Sequence, residues 1–185
     1  PYAFGFYRHM RHKGYPERFS QTFAIYEGGA LPAEYEGMVI SADALHNRVI
    51  ASRLLRDTSS YRTVDLPPIV QTDDRWFRPV DLEIGPDGAV YIGDFYNQAV
   101  IHNDTRGPDH NRVNAAVRPD RDHYFGRIWR LDHKDATKLA VSNLATAKPA
   151  QLVEALSSPN QSVRMSAARL LVERNEGSDL LPAVA

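Results

Sequence analysis

Hydrophobic and polar residues alternate in short stretches along the first two thirds of the chain. In the clearest stretch, residues 79–84, every second residue is aliphatic and the two residues between are acidic. A period of two is typical of a strand with one buried face. A second apolar run, residues 89–93, follows the turn sequence Pro86-Asp87-Gly88. Because proline presets φ and glycine accepts a positive φ, the pattern predicts a β-hairpin.

Similar short runs occur at nearly regular spacing on both sides of this hairpin. The further predicted strands are residues 24–26, 37–41, 48–55, 61–65 and 126–131. Short strands spaced in this way are typical of a sandwich, a barrel or a propeller. The hairpin has polar residues at its outer ends, which favours a propeller blade. Propellers have their binding sites at strand ends around a central channel.

The hydrophobic period becomes helical from about residue 136. Pro149 suits the first turn of a helix, and residues 157–160 separate that helix from a second one. The apolar face of the second helix consists of Val163, Ala167, Leu170 and Leu171, and Gly177 is its predicted end. The pair resembles one HEAT repeat. Since one pair cannot bury both apolar faces, it either packs on the β domain or continues into a longer solenoid.

The predicted fold class is therefore mainly β with a C-terminal α segment: terminal blades of a β-propeller followed by one HEAT-like helix pair. We divide the chain into about two blades at residues 1–133, a linker at 134–148 and a HEAT-like repeat at 149–185. A polar stretch at residues 99–124 has no clear period and is a long loop within the β part.

Composition excludes several classes of function. The net charge of −1 gives no reason to expect a nucleic acid or an anionic membrane as partner. The absence of cysteine excludes disulfides, thiolate metal sites and covalently attached haem within the chain. No apolar run is long enough to span a bilayer. The chain opens on Pro1 without an initiator methionine or a signal peptide, and we expect it to be a piece of a longer protein.

Five segments carry a family resemblance: residues 21–29, 31–37, 45–49, 74–97 and 126–131. Together they resemble the C-terminal end of the propeller in the PVC-type membrane-bound dehydrogenases, which are relatives of the soluble quinoprotein glucose and sorbosone dehydrogenases. The helical tail resembles the HEAT repeat that follows this propeller in many members. A cytochrome c domain with a Cys-x-x-Cys-His motif often comes next in the family and is absent from this chain.

The resemblance implies a six-bladed propeller, periplasmic or otherwise extracytoplasmic, that oxidises a sugar-like alcohol. Electrons would pass to a cytochrome c domain or another protein acceptor. The relatives hold pyrroloquinoline quinone (PQQ) beside calcium at the strand ends. By this resemblance Arg75 and Arg78 are candidate cofactor-binding residues, and His46 falls near a lysine of the relatives. The catalytic base would come from blades outside the chain, so we expect these 185 residues alone to have no dehydrogenase activity.

The arginines and the histidine also have structural interpretations. An arginine fork holds a carboxylate or a quinone oxygen, but it pairs equally well with a neighbouring aspartate. That neighbour would be Asp73 or Asp74 for Arg75, and Asp81 for Arg78. His46 would lie in a turn whose following asparagine accepts a positive φ.

Asp94, Tyr96 and Asn97 lie at the end of the inner strand and are candidates for a ligand-binding rim. Asp94 either accepts a ligand hydroxyl, binds calcium, or receives backbone amides in a tight turn. The alternative to a dehydrogenase fragment is a non-catalytic propeller and HEAT scaffold that binds carbohydrate or a protein partner, and fold alone does not choose between them.

The loop-rich region holds a weak metal signal. His102, His110, His123 and His133 lie there among several aspartates, but their spacing matches no ligand pattern of a helix or a hairpin. We therefore predict solvated loop histidines and no metal site.

Overall fold

Two antiparallel β-sheets and a pair of C-terminal helices make up the part of the chain that this computed structural model describes, residues 22–97 and 124–174. The predicted fold class, mainly β with a C-terminal α segment, is confirmed. None of the helices within these residues is long and apolar enough to cross a membrane.

The first sheet has five strands. They are β1 (Phe23–Ile25), β2 (Met38–Asp43), β3 (Arg48–Asp57), β4 (Ser60–Asp65) and β5 (Val70–Gln71). The first four pair in chain order, and β5 pairs with the beginning of β3. The turn between β2 and β3 contains Asn47 at φ 54°, so the predicted left-handed asparagine is confirmed.

The second sheet has three strands in chain order: β6 (Pro79–Ile84), β7 (Val90–Asp94) and β8 (Arg127–Leu131). The predicted hairpin is β6–β7, and Gly88 in its turn has φ 77°. Leu82 lies opposite Ile92, which in turn lies opposite Trp129. Directly opposed residues share a face, so this row continues the apolar inner face of the sheet.

The main core lies between the two sheets. Its buried residues are Tyr26, Ile40, Ala42, Val49, Phe77, Leu82, Ile84, Val90 and Ile92. The Tyr26 hydroxyl donates to the carbonyl of Gly88 (2.7 Å) and accepts from the amide of Leu31 (2.9 Å). Tyr26 thus joins β1 to the hairpin turn of the second sheet, and its burial raises the pKa of the phenol.

The helices are α1 (Pro149–Ala155) and α2 (Gln161–Glu173). Asn160 caps α2 through Oδ1, which accepts from the amide of Val163 at 3.1 Å. Its Nδ2 donates to the carbonyls of Gly28 (3.0 Å) and Gly85 (2.8 Å), one beside each sheet. Of the two expectations for the helix pair, packing against the β domain is observed.

The predicted strands agree with the observed ones to within two residues at most ends, and the short β5 was not predicted. The predicted loop at 99–124 lies outside the described residues except for Tyr124. Gly177, His102, His110 and His123 also lie outside them, whereas His133 lies within them.

Candidate functional site

The loop after β7 is organised by the carboxylate of Asp94, a predicted rim residue. Asp94 is 3% exposed. Its Oδ1 accepts from the amides of Arg78 and Tyr96, both at 2.8 Å, and its Oδ2 accepts from the indole nitrogen of Trp129 at 2.9 Å. Asp94 therefore receives backbone amides, as one of its predicted roles required, and it also fixes the Trp129 ring.

Arg78 connects the second sheet to the β2–β3 turn. Its side chain is buried, and one terminal nitrogen donates to the carbonyl of Ala44 at 3.0 Å. Burial lowers the pKa of this guanidinium, and the nearby Asp94 carboxylate opposes that effect. Asp81, the ion-pair partner considered for Arg78, instead accepts from the amide of Leu82 at 3.0 Å. The hydrogen bonds of Arg78 from its amide to Asp94 and from its side chain to Ala44 are internal to the fold.

His46 lies in the β2–β3 turn, two residues from the carbonyl that Arg78 binds. Its Nδ1 lies 2.8 Å from Oδ2 of the buried Asp43, so this nitrogen carries the proton and donates. The same oxygen accepts from Nε of Arg48 at 2.9 Å. The side chain of His46 is nonetheless 48% exposed. One ring nitrogen therefore holds the turn, while about half of the side chain remains exposed.

Arg75 lies in the exposed loop that precedes β6. Within residues 22–97 and 124–174 its side chain forms no ion pair with Asp73 or Asp74. The carboxylate of Asp74 accepts from the amide of Trp76 at 2.9 Å instead. The third predicted rim residue, Asn97, is 2% exposed and belongs to the interior of this end of the sheet.

A cavity of about 280 Å³ opens beside Asp94, between the two sheets. We call it the rim pocket; its lining residues are Val70, Thr72, Asp74, Phe77, Ile92, Arg127, Trp129, Arg130 and Leu131. Phe77 and Trp129 meet edge to face, with ring centres 6.5 Å apart. None of the three predicted cofactor residues, Arg75, Arg78 or His46, lines this pocket.

Residues 7–135 match a family model described as a domain of unknown function, DUF7133. The chain belongs to this family. The matched segment includes every strand of both sheets and all of the rim pocket. No curated protein and no solved structure matches the chain.

One cationic group of the rim pocket in this DUF7133 domain is Arg127, which is partly exposed. Its guanidinium carbon lies 3.3 Å from the ring centre of Tyr96 and 5.5 Å from that of Trp129. The Tyr96 ring is supported in turn by Trp76, at 5.6 Å between ring centres. In the described part of the chain, Arg127 has no carboxylate partner. The arginine is therefore positioned by aromatic rings, and no described residue accepts from its guanidinium N–H groups.

The predicted site did not include Arg127 or Trp129. A signal for both exists in the sequence, because alternation along β8 puts Arg127 and Trp129 on one face. The register that places Arg127 opposite Asp94 is a property of the folded sheet. Among the described residues of the DUF7133 domain, no group of three histidine or acidic side chains is arranged to hold a metal ion.

Proposed function

We propose that this chain is part of a propeller and HEAT scaffold whose rim pocket binds a sugar-like small molecule without redox chemistry. The observation that carries the proposal is the pocket itself, where Trp129 and Phe77 form aromatic walls beside the polar groups of Thr72, Asp74 and Arg127. Pockets that bind small molecules are mostly apolar and contain a few placed polar groups.

The dimensions and chemistry of the pocket favour one sugar ring. A volume of about 280 Å³ lies near the lower end of the range for ligand sites, which suits a single ring better than a large cofactor. A pyranose ring has an apolar face for Trp129 and hydroxyls around its edge. Asp74 offers carboxylate oxygens to such hydroxyls, and Arg127 offers donors.

The second candidate function is the one implied by the family resemblance, a fragment of a quinoprotein-type sugar dehydrogenase. One observation favours it: the contact of Arg78 with Ala44 brings Arg78 and the His46 turn to the same end of the molecule. The side chains themselves do not fit a bound PQQ, because Arg78 donates to a backbone carbonyl and His46 donates to Asp43. We therefore derive no step through the quinone.

Sugar binding is tested by titrating a panel of neutral mono- and disaccharides into the full chain, with isothermal calorimetry and the Trp129 indole signal in NMR as readouts. We expect Trp129→Ala to weaken binding at least tenfold, about 1.4 kcal/mol. The matched control is Tyr61→Ala, since Tyr61 is an exposed aromatic on β4 outside the rim pocket.

Trp129→Phe keeps an aromatic wall but loses the hydrogen bond to Asp94. If Trp129→Phe still binds sugar and Trp129→Ala does not, the loss of binding in Trp129→Ala comes from the missing ring and not from the missing hydrogen bond. Absence of binding across the sugar panel would overturn the proposal, as would binding that Trp129→Ala leaves intact. A parallel titration of the longer parent protein with PQQ and calcium tests the second candidate. Tight binding that Arg75→Ala weakens would favour the dehydrogenase, and Arg75 is suitable because it is exposed.

A further inference from the structure

The geometry around Arg127 points to the class of sugar that the rim pocket selects. We propose that its ligand carries a carboxylate, as a uronic acid does, and that Arg127 binds this group. The inference rests on the proposed function and adds a specificity-determining residue to it.

Arg127 is held in place before any ligand arrives. Its guanidinium lies flat enough over Tyr96 to approach the ring centre within 3.3 Å, and Trp129 flanks it at 5.5 Å. A cation is attracted to the face of an aromatic ring, and this contact uses the flat side of the guanidinium. The N–H donors lie in the plane of the group, so stacking leaves the planar fork available for a carboxylate.

Two other charged groups around the pocket, Arg130 and Asp94, are already engaged. Arg130 donates to the carboxylates of Asp87 (2.9 Å) and Asp132 (2.8 Å). Asp94 accepts three hydrogen bonds and is buried, so it does not face a ligand as a free anion. Among the residues that the structure describes, Arg127 is therefore the pocket cation whose charge a ligand would balance.

Asp74 is the one group at the pocket that argues for a different ligand. One of its oxygens accepts from the amide of Trp76, and its second oxygen suits a sugar hydroxyl or an ammonium. A positively charged amino sugar is thus the competing ligand. A bidentate arginine–carboxylate pair adds both charge and geometry, which favours the acidic sugar.

The experiment compares three probes of one ring size: D-glucuronate, D-glucose and D-glucosamine, each titrated into the full chain at low ionic strength. We expect glucuronate to bind at least tenfold more tightly than glucose. The methyl ester of glucuronate, which lacks the charge, should lose this advantage. A higher salt concentration should reduce the difference in affinity between glucuronate and glucose, because the contact between Arg127 and the carboxylate is partly exposed.

Arg127→Gln should abolish the preference for glucuronate over glucose, and Arg127→Lys should retain part of it, since a lysine keeps the charge without the fork. Arg62→Gln is the matched control, because Arg62 is an exposed arginine on β4 outside the pocket. Equal binding of glucuronate and glucose, or a preference for glucosamine, would overturn the inference while leaving sugar binding in place. Absence of binding by all three probes and by the wider sugar panel would overturn both.

Discussion

Tyr26 shows how one side chain can join two sheets. It is fully buried, and its hydroxyl donates to the carbonyl of Gly88 while accepting from the amides of Leu31 and, at a longer distance, Ala30. A buried polar group that loses its partner carries the full cost of desolvation. The hydroxyl of Tyr26 therefore matters more for stability than its small volume suggests.

Replacing Tyr26 by phenylalanine should reduce the free energy of unfolding by about 1–3 kcal/mol, because the carbonyl of Gly88 and the amide of Leu31 lose their partner. Urea denaturation at pH 7 measures this. The difference in free energy of unfolding between wild type and variant should become smaller at alkaline pH. Burial raises the pKa of Tyr26 in the folded state, so its contribution is complete below the unfolded pKa of about 10 and is lost as pH rises through the folded value.

Tyr61→Phe is the control for this prediction, because Tyr61 is 60% exposed. Its stability should stay within about 0.5 kcal/mol of wild type at every pH. A Tyr26→Phe variant as stable as wild type, or a difference that grows in alkali, would show that the hydroxyl does not join the sheets in this way.

The predicted site residues also illustrate the limit of reading chemistry from residue type. Arg78, Asp94 and His46 have the side chains that a ligand site needs, and all three lie at one end of the sheets. Their observed partners are backbone groups and neighbouring side chains. A sequence names the donors and acceptors of a residue, but it does not show whether the fold has already used them.

At the scale of the element, the β6–β7 hairpin is the best-predicted part of the chain. The alternation in β6 and the turn chemistry of Pro86-Asp87-Gly88 are both local, so they are visible in sequence. The tertiary environment adds a second constraint at Gly88. A Cβ there would lie 2.2 Å from the Cβ of Ala30 and 2.8 Å from the carbonyl oxygen of Gly28.

Gly88→Ala should therefore destabilise the chain more than Gly37→Ala does. Both glycines have a positive φ, 77° and 74°, so both variants incur the left-handed backbone cost of about 1–2 kcal/mol. At Gly37 a Cβ would meet nothing within 4 Å, whereas at Gly88 it collides with Gly28 and Ala30 in the loop that follows β1. Chemical denaturation of both variants isolates the clash, and equal losses of stability would contradict the close approach at Gly88.

At the scale of the whole molecule, Asn160 joins the helix pair to both sheets. The sequence does indicate a break before α2, but an asparagine at an N-cap is ordinary. The unusual feature is that the same side chain also donates to the carbonyls of Gly28 and Gly85 from a fully buried position. Ser162 adds a hydrogen bond from its hydroxyl to the carbonyl of Ile84 at 2.5 Å.

Asn160→Asp keeps the cap acceptor and replaces the two donors by an oxygen that faces carbonyls. We expect the free energy of unfolding to fall by about 3 kcal/mol or more at pH 7, because a buried charge is left without a partner. Asn143→Asp is the matched control, since Asn143 caps an exposed turn through its oxygen, which accepts from the amide of Ala145. Thermal unfolding monitored separately in the helical and β signals would show whether the helices detach first. Equal effects of the two substitutions would refute the docking role of Asn160.

Most of the strands and both helices can be predicted from sequence alone, because hydrophobic period, turn residues and helix breaks are local properties of the chain. The β6–β7 hairpin and both helices follow from them. The short β5 was not predicted, because two residues are too few to show a hydrophobic period. Its antiparallel pairing with β3 also depends on the fold of the chain between them.

How these elements come together around the rim pocket depends on long-range packing. The pairing of β7 with β8 puts Arg127 opposite Asp94 across about thirty intervening residues, and the loop after β7 brings Tyr96 beneath that arginine. Contacts of this kind join residues far apart in sequence, so no local pattern encodes them. The same long-range packing buries Arg78 against Ala44 and places Arg127 at the rim pocket, with no carboxylate partner among the described residues.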